Sequence, residues 1–177
     1  MSLPAYLFLY DESGVQVKGD CLMPGREGAI EIMNSSYGVR QGVDSITGSM
    51  TGTRQHDPVT VHKQLDKTSP FFAIAVCESK RLQKAVIKYY AIIEAGVEVE
   101  LYKITLDSVV ISSVDFTHVY YPGSSSPNMH EVIGLRFRGI EWNYLSGNIK
   151  YDDAWMKPSK NHRQVRSGLN APPLQLI

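Results

Sequence analysis

Residues 130–144, HEVIGLRFRGIEWNY, resemble a strand in which the large apolar side chains change sides partway along. Leu135 and Phe137 stand on odd positions, whereas the apolar residues after Gly139 stand on even ones. Successive strand side chains point to opposite faces, so this change moves the apolar face to the other side of the sheet. An isolated glycine in a strand often marks a bulge. The segment predicts either a strand bulged at Gly139 at a barrel corner or a strand buried on both faces.

Runs rich in β-branched and aromatic residues recur along the rest of the chain, which is typical of strands. Together with the segment above, they cover residues 6–10, 29–33, 59–65, 85–93, 97–106, 109–116 and 132–144. Many short strands separated by turn residues favour a sandwich or a barrel over a fold that alternates strands with helices. The sequence therefore predicts a mainly β domain.

One segment, DKTSPFFAIAVCESKRLQK, interrupts the strands. Ser69 followed by Pro70 matches an N-cap and a first-turn proline, so we predict a helix over about residues 70–79. The residues after Pro70 are apolar all round, which indicates a helix buried on more than one side, with a misread strand as the alternative. The predicted strand 85–93 is apolar on both faces. Either this helix or another subunit is expected to cover its second face.

The bulk composition excludes several classes of protein. A chain of 177 residues suffices for one domain that buries roughly 70% of its unfolded surface without disulfides or metals. Eighteen basic residues balance eighteen acidic ones, so no overall field attracts nucleic acid or a membrane. Cys21 and Cys77 lack metal or redox-motif spacing, which indicates reduced thiols in a cytoplasmic protein.

The opening MSLPAYLFLYDESG carries no positive charge before its short apolar run and has an acidic pair directly after it. This pattern differs from that of a secretory signal. No apolar run approaches the roughly 20 residues that a membrane span requires. We expect neither a cleavable signal peptide nor membrane insertion.

The sequence carries no hydrolase elbow, Walker loop or dinucleotide fingerprint. The spacing of His56 and His62 fits neither adjacent helical turns nor a usual zinc pair. Asp152 and Asp153 are adjacent carboxylates, which point apart on an extended chain, so we interpret them as turn or cap residues. The sequence predicts no enzyme, no cofactor and no metal site.

Arg136 and Arg138 share one face of the last predicted strand. Two cations on one side, flanked by aromatic residues, would suit a nucleic acid. Glu131 and Glu141 lie nearby in sequence, however, so pairing with acidic neighbours is the favoured interpretation. No nucleic-acid partner is predicted.

Several segments together resemble the haemolysin-coregulated protein (Hcp) family, whose members form the tube of bacterial type VI secretion systems. MSLPAYLFL is similar to the start of that family, and VTVHKQLDKTSPFFAIAV resembles its strand leading into a single helix. VELYKITLDSVVISSV resembles its paired strands, HEVIGLRFRGIEWNY its last strand, and DDAWMKP its acidic and tryptophan ending. Their succession predicts an Hcp-like β-barrel domain over residues 1–158 and an extended or disordered tail over 159–177.

The resemblance implies a compact β-barrel of two packed sheets with one short α-helix. It also implies a homohexameric ring with a central channel, and rings that stack into a tube. The implied partners are a contractile sheath, a spike protein and small effectors carried in the channel. Such a tube subunit resides in the bacterial cytoplasm before firing and afterwards in the extracellular medium or a target cell. A closed ring uses two different patches of each subunit, whereas stacked rings make an open contact that propagates.

Two sets of residues are predicted to mediate assembly. The loop between the second and third predicted strands is longer than a connection requires, so we assign it to ring stacking. Its candidate residues are Val43, Asp44, Ser45, Ile46, Thr47, Ser49, Met50 and Arg54. The candidate residues of the subunit interface or the core strands are Ile87, Tyr89, Phe137 and Trp142.

Two alternative functions belong to other classes. A monomeric small-ligand-binding β-barrel would line a cavity with the aromatic residues of the last strand. An enzyme, such as a toxin domain, would need catalytic groups from residues 159–177, which offer no pair of nucleophile and base. A monomer with an internal pocket would favour the binding barrel, whereas a hexamer would favour the tube subunit.

Overall fold

The computed structural model describes residues 3–92, 96–120, 122–123 and 128–155. This part of the chain forms twelve strands and one helix. In chain order they are β1 (Ala5–Tyr10), β2 (Gln16–Val17), β3 (Ile30–Ile32), β4 (Asn34–Ser36), β5 (Val39–Val43), β6 (Met50–His56), β7 (Val59–Gln64), α1 (Ser69–Cys77), β8 (Arg81–Ile92), β9 (Glu98–His118), β10 (Met129–Arg136), β11 (Gly139–Tyr144) and β12 (Ile149–Ala154). The tail predicted for residues 159–177 lies outside the described residues.

The predicted fold class, mainly β with two sheets and one short helix, is confirmed. Ten strands form one antiparallel sheet whose neighbours follow the path β2-β1-β8-β9-β10-β7-β4. β11 adds to β9, β12 adds to β11, and β3 adds to β1. β5 and β6 form the second sheet. The predicted strands 97–106 and 109–116 are the two halves of the single strand β9.

Residues 30–36 close the large sheet into a barrel. β3 pairs with β1, and β4, which follows at once, pairs with β7. Between them, the amide of Met33 donates a hydrogen bond to the carbonyl of His62 at 2.8 Å. Since β1 and β7 lie near opposite ends of the path through the sheet, this segment joins the two edges. Closure protects strand edges that would otherwise pair with other chains.

The hydrophobic core fills the interior of the barrel. Its members come from both halves of the bent sheet and from α1, and they form one cluster. The large side chains with no exposed surface include Leu7, Leu9, Ile87, Leu106, Val61, Ile133, Leu135 and Phe72. Each such residue contributes about 1.5–3 kcal/mol of burial free energy.

The segment 130–144 turns the corner of the barrel, as one of the two sequence alternatives predicted. β10 and β11 both pair with β9, and residues 137–138 connect them. The pairs Arg136 with Val110 and Gly139 with Asp107 keep one register across that connection. The buried apolar positions change phase here: Leu135 and Phe137 are odd, whereas Ile140 is even.

The predicted bulge at Gly139 was wrong. The left-handed residue at the corner is Ser108 on β9, with φ 53°. The neighbouring carbonyl of Asp107 accepts a hydrogen bond from the amide of Arg138 at 2.9 Å. β9 changes faces at the same point, because Leu106 and Val109 are both fully buried. The corner therefore involves both strands, and a serine rather than a glycine resets the phase.

Part of the second apolar face of β8 is covered by a segment of the same chain instead of by helix α1. Tyr90 packs with Tyr6 and Ala29 in a small separate cluster. The guanidinium of Arg26 lies 3.7 Å from the ring centroid of Tyr90 and 4.8 Å from that of Tyr6. Arg26 also forms an ion pair with Glu98. Cation–π contacts of the desolvated Arg26 hold the loop between β2 and β3 against the barrel.

Helix α1 agrees with the predicted helix to within about two residues at each end, the usual uncertainty of such boundaries. Pro70 occupies the first turn as predicted, but the N-cap is Thr68 instead of Ser69. The hydroxyl of Ser69 donates to the Glu131 carboxylate at 2.7 Å and accepts from the ammonium of Lys63 at 3.1 Å. Ser69 thus ties the helix to β7 and β10.

Candidate functional site: an anchored hairpin

The segment assigned to ring stacking folds as a β-hairpin. β5 and β6 pair from Val39 with His56 at the base to Val43 with Met50 at the tip. The register shifts between Arg40 and Gly42. Every residue of β5 is exposed, so the hairpin has no apolar face of the kind that reveals a strand in sequence. The expected loop is therefore largely regular structure.

Asp44 shapes the tip of the hairpin. Its side-chain Oδ1 accepts hydrogen bonds from the amides of Ile46 and Thr47, each at 2.8 Å. These hydrogen bonds lower the pKa of the Asp44 carboxyl, with the Thr47 amide as the largest cause. The backbone amide of Asp44 donates to the carbonyl of Ser49 at 2.8 Å. Aspartate commonly stabilises turns in this way, so the tip has a defined conformation.

The tip exposes apolar side chains. Ile46 is 93% exposed, Met50 73% and Val43 58%. Ser45, Thr47 and Ser49 surround them and are exposed too. Apolar residues grouped on a projecting element and rimmed by polar ones are typical of a protein interaction site.

The base of the hairpin is bound to β12. Arg54 donates hydrogen bonds from Nε and Nη2 to the carboxylate of Asp153, and from Nη2 to the carbonyl of Ala154 at 2.9 Å. Nε2 of His56 lies 2.9 Å from the same carboxylate. Burial raises the pKa of Asp153, but the hydrogen bonds from Arg54 and His56 outweigh burial and hold the pKa below its ordinary value. The carboxylate therefore stays ionised and keeps both partners.

Aromatic rings surround the His56 side chain. The hydroxyl of Tyr37 is hydrogen-bonded to Nδ1, and burial raises the pKa of that hydroxyl. The imidazole stacks against Trp142, with ring planes 24° apart, and its centroid lies 5.6 Å from those of Phe137 and Trp155. Since Phe137 belongs to the core, the base of the hairpin is packed against the barrel.

The structure separates the predicted site residues into groups. Val43 to Met50 form the exposed tip, whereas Arg54 lies at the base and is bound to Asp153. Ile87 and Phe137 are core residues. Tyr89 and Trp142 are partly buried and pack against the core. The hydroxyl of Tyr89 is hydrogen-bonded to Ser35 at 2.8 Å.

Two interpretations of acidic residues were wrong. Asp152 and Asp153 lie within β12 instead of in a turn. The side-chain partners of Asp153, Arg54 and His56, are far away in sequence, so no local pattern revealed them. Glu131 pairs with the buried Lys63, with Nζ and Oε2 2.8 Å apart, instead of with an arginine of its own segment. Sequence reasoning missed the anchor formed by Tyr37, His56 and Asp153 for the same reason.

Other chemical features are few within the residues that the structure describes. Cys21 and Cys77 are free thiols. In this part of the chain no three His, Cys, Asp or Glu side chains are grouped so that they could hold a metal ion. Among the described residues, no helix has the length and apolar character needed to cross a membrane.

A closed β-barrel with one helix and a projecting, anchored hairpin defines a class of small barrel proteins. Comparison with known proteins identifies the family within that class. The family model described as "Type VI secretion system effector, Hcp" matches residues 6–144. The chain therefore belongs to the Hcp family and is a protein of the type VI secretion system. This result confirms the resemblance seen in the sequence, and the match lies within the predicted domain 1–158.

Individual relatives agree with the family. The "Major exported protein" of Pseudomonas aeruginosa PAO1 is 28% identical over 142 residues, covering 79% of this chain and 83% of that protein. A solved structure of a mutant Hcp1 protein from the Escherichia coli EAEC 042 pathovar is 35% identical, with a TM-score of 0.77, and covers 87% of this chain and 99% of that one. "Secreted protein Hcp3 from Pseudomonas aeruginosa" shares the fold at 19% identity and a TM-score of 0.69, with 88% of this chain and 100% of that one covered.

The alternative of a monomeric ligand-binding barrel is not favoured. It required the last strand to line a cavity with its aromatic residues. Phe137 and Ile140 are instead buried in the core cluster, and Trp142 packs against that cluster. The described clefts lie at the surface of the barrel, beside loops and strand ends.

Proposed function

We propose that this chain is the tube subunit of a type VI secretion system. Hexameric rings of it enclose a channel and stack into the inner tube. The hairpin carries this proposal, because it presents exposed apolar residues at its tip while its base is bound to β12. Ring-shaped assembly is a property of the Hcp family in type VI secretion, and a hairpin held in place supplies a stacking contact.

The contact between subunits of one ring is expected to use apolar strand surface. β12 is paired with β11 on one side, and its face exposes Ile149 and Tyr151, with Tyr144 directly opposite Ile149 on β11. These side chains are 52%, 71% and 42% exposed, respectively. An obligate ring contact buries on the order of 2,000 Å² or more and is more apolar than a transient one. We assign this strip to the ring interface.

The contact between stacked rings is assigned to the hairpin tip. Stacking must be reversible, because the tube is built before firing and comes apart afterwards. A small apolar tip rimmed by serine and threonine suits such a weaker contact. The contractile sheath surrounds the tube, the spike caps it, and small effectors occupy the channel. The subunit resides in the bacterial cytoplasm before firing and outside the cell, or in a target cell, afterwards. Its role is assembly and transport instead of catalysis.

The mass in solution tests the ring. Light scattering on a sizing column, over a range of protein concentrations, should give a hexamer of 19.8 kDa subunits that persists on dilution. Electron microscopy at high concentration should show stacked rings. A stable monomer at all concentrations would overturn the proposal and return the binding barrel to consideration.

The tip is tested by Ile46→Ser combined with Met50→Ser. We expect hexamers of unchanged mass, fewer stacked rings and less of the protein secreted. Leu22→Ser is the matched control, since Leu22 is 88% exposed but lies outside the hairpin. The double variant tests the tip more specifically than deletion of residues 42–54, because the deletion would also remove Arg54 from the anchor. Unchanged stacking and secretion in the double variant would remove the hairpin tip from the interface.

A further inference from the structure

Three arginines border one surface cleft near the base of the hairpin. Arg81, Arg136 and Arg138 line a cavity of about 430 Å³, which His56 and Trp155 also line. All three arginines are exposed. One of them, Arg81, donates a hydrogen bond to the hydroxyl of Ser108 at 3.0 Å, a neutral partner that leaves its charge in place. We call this the arginine cleft.

The charge of the arginine cleft is strongly positive. Asp57 also lines it, but its carboxylate is paired with Arg40 at 3.1 Å. The ion pair of Asp57 with Arg40 thus adds little net charge, while the guanidinium groups of Arg136 and Arg138 face solvent. Guanidinium groups bind carboxylates through paired hydrogen bonds. The arginine cleft therefore fits an acidic protein surface.

A second cleft of the same chain holds one carboxylate, that of Glu31, for which the described residues show no ion pair, and two carboxylates that are paired with lysines. A groove of about 350 Å³ is lined by Asp20, Glu31 and Asp66 together with apolar residues that include Leu3 and Met33. Glu31 is exposed. The carboxylate of Asp20 lies 3.1 Å from the ammonium of Lys67, and both side chains are more than half exposed. Asp66 faces the buried Lys63 at 3.0 Å. We call this the acidic groove.

The two clefts lie at opposite ends of the barrel. Strand β7 starts beside the arginine cleft, which contains Pro58, and ends beside the acidic groove, which contains Gln64 and Leu65. A strand of six residues spans roughly 20 Å. Copies stacked end to end along the direction of β7 turn the arginine cleft of one towards the acidic groove of the next.

We infer that Arg136 and Arg138 of one copy bind the acidic groove of the next copy, head to tail, in the stacked tube. This inference rests on the proposed function. The apolar residues of the groove match Trp155, which is 45% exposed beside the arginines. The cleft adjoins the base of the hairpin whose tip is the proposed stacking contact, since His56 ends β6 and also lines the cleft. A head-to-tail contact whose rotation does not close a ring propagates along the tube.

The alternative occupants fit less well. A nucleic acid requires a track of positive charge along many phosphates, and the chain carries equal numbers of basic and acidic residues. A second copy supplies both halves of the contact from one sequence. An ionic contact also weakens with salt, which suits a tube that must dissociate after secretion.

Charge reversal tests this contact. Arg138→Glu alone and Glu31→Arg alone should each leave hexamers intact and abolish sedimentable tubes. Combining them in one chain reverses both sides of the contact and should restore the tubes. Lys18→Glu is the control, because Lys18 is exposed, lines neither cleft and lies outside both the hairpin and the β11–β12 strip. Tubes of the unaltered chain should also dissociate into rings near 1 M salt, where the Debye length is about 3 Å.

Each outcome decides between the two proposals. Normal tubes in both single variants, or no recovery in the combined variant, would overturn the charge contact while leaving the ring proposal intact. Loss of hexamers in a single variant that keeps its circular dichroism spectrum would place the contact within the ring and overturn the stacking assignment. Normal tubes with reduced secretion would assign the arginine cleft to another acidic protein and would also overturn the charge contact between copies. An unaltered chain that never forms rings would overturn both proposals. If Arg138→Glu fails to fold, Arg138→Gln and Arg136→Glu provide the same comparison.

Discussion

The imidazole of His56 lies 2.9 Å from the carboxylate of Asp153, although the two residues are 97 positions apart. Arg54 binds that carboxylate from the same strand as His56. One carboxylate therefore holds the base of the hairpin against the last described strand. A hairpin that is ordered in advance loses less conformational entropy when its tip binds another subunit. The anchor thus connects the packing of the barrel to the proposed stacking contact.

Asp153→Asn should detach the hairpin without unfolding the barrel. The variant loses the charge-assisted hydrogen bonds from Arg54, which are worth about 1.5–3 kcal/mol, and removes the negative charge of the Asp153 carboxylate. We expect a similar loss in the free energy of unfolding by urea. Amide hydrogen exchange of residues 50–56 should accelerate more than that of β8.

Asp115→Asn is the matched control for that variant. Asp115 lies near the end of β9 and is exposed. The free energy of unfolding of the Asp115→Asn variant should therefore differ from that of the parent by less than about 0.5 kcal/mol. Equal stability of the two variants would contradict the role of the anchor. Uniformly faster exchange over the whole barrel would show that Asp153 stabilises the fold generally instead of holding the hairpin.

The stability contributed by Asp153 should fall in acid. Burial raises its pKa, but Arg54 and His56 outweigh burial, and the folded-state pKa lies below the ordinary value of 3.8. The contribution is therefore complete above the unfolded-state pKa and is lost as the pH falls through the folded-state pKa. The difference in unfolding free energy between the parent and Asp153→Asn should shrink as the pH falls below about pH 4. A difference that stayed the same down to about pH 3 would contradict this assignment.

Alternation predicts a strand where one face is buried, and this explains which elements were predictable. β1 and β7 bury alternate residues in the core, so their apolar pattern is visible in the sequence. β5 is exposed along its whole length, and it was interpreted as loop. The succession of segments identified the family, but the residues that shape the corner gave no signal. Gly139 at the change from odd to even apolar positions suggested a bulge, whereas the residue in the left-handed conformation is Ser108 on the neighbouring strand, between the buried Leu106 and Val109.

The candidate site divides in the same way. The tip of the hairpin was predictable, because glycine, serine and aspartate around Ile46 indicate a turn in an unusually long connection. The anchor was not, because hydrogen bonds between residues about a hundred positions apart leave no periodicity. Arg136 and Arg138 were visible in the sequence as two arginines at alternate positions. Their surroundings depend on where β7 and β8 begin and β10 ends, at one side of the barrel. Such positions follow from the closed topology instead of from local sequence.

Lys63→Met should be strongly destabilising. The ammonium of Lys63 is 1% exposed and lies 2.8 Å from Glu131 and 3.0 Å from Asp66. Removing it leaves buried carboxylates without a counter-charge, which costs about 3–5 kcal/mol. Lys63→Met combined with Glu131→Leu should cost less than the single change, because the pair is removed together. Urea unfolding of both single variants and the double variant measures the coupling.

Lys88→Met is the comparison for the buried pair. Lys88 is paired with Glu100 at 2.9 Å, but its side chain is 28% exposed, and pairs in contact with solvent contribute about 0–1 kcal/mol. If Lys63→Met were no more destabilising than Lys88→Met, the buried network would have no special role in fixing α1 on the barrel.

Trp142→Ala should cost less than the loss of a fully buried tryptophan, which is about 3–5 kcal/mol. Its indole packs against the core but keeps some exposed surface, so we expect a loss of about 2–3 kcal/mol in unfolding free energy. The change also removes the ring that stacks on His56, so exchange of the β6 amides should accelerate. Trp155→Ala is the control, because Trp155 contacts the same imidazole but is 45% exposed. Equal losses in the two variants would show that Trp142 is not part of the packing that supports the hairpin.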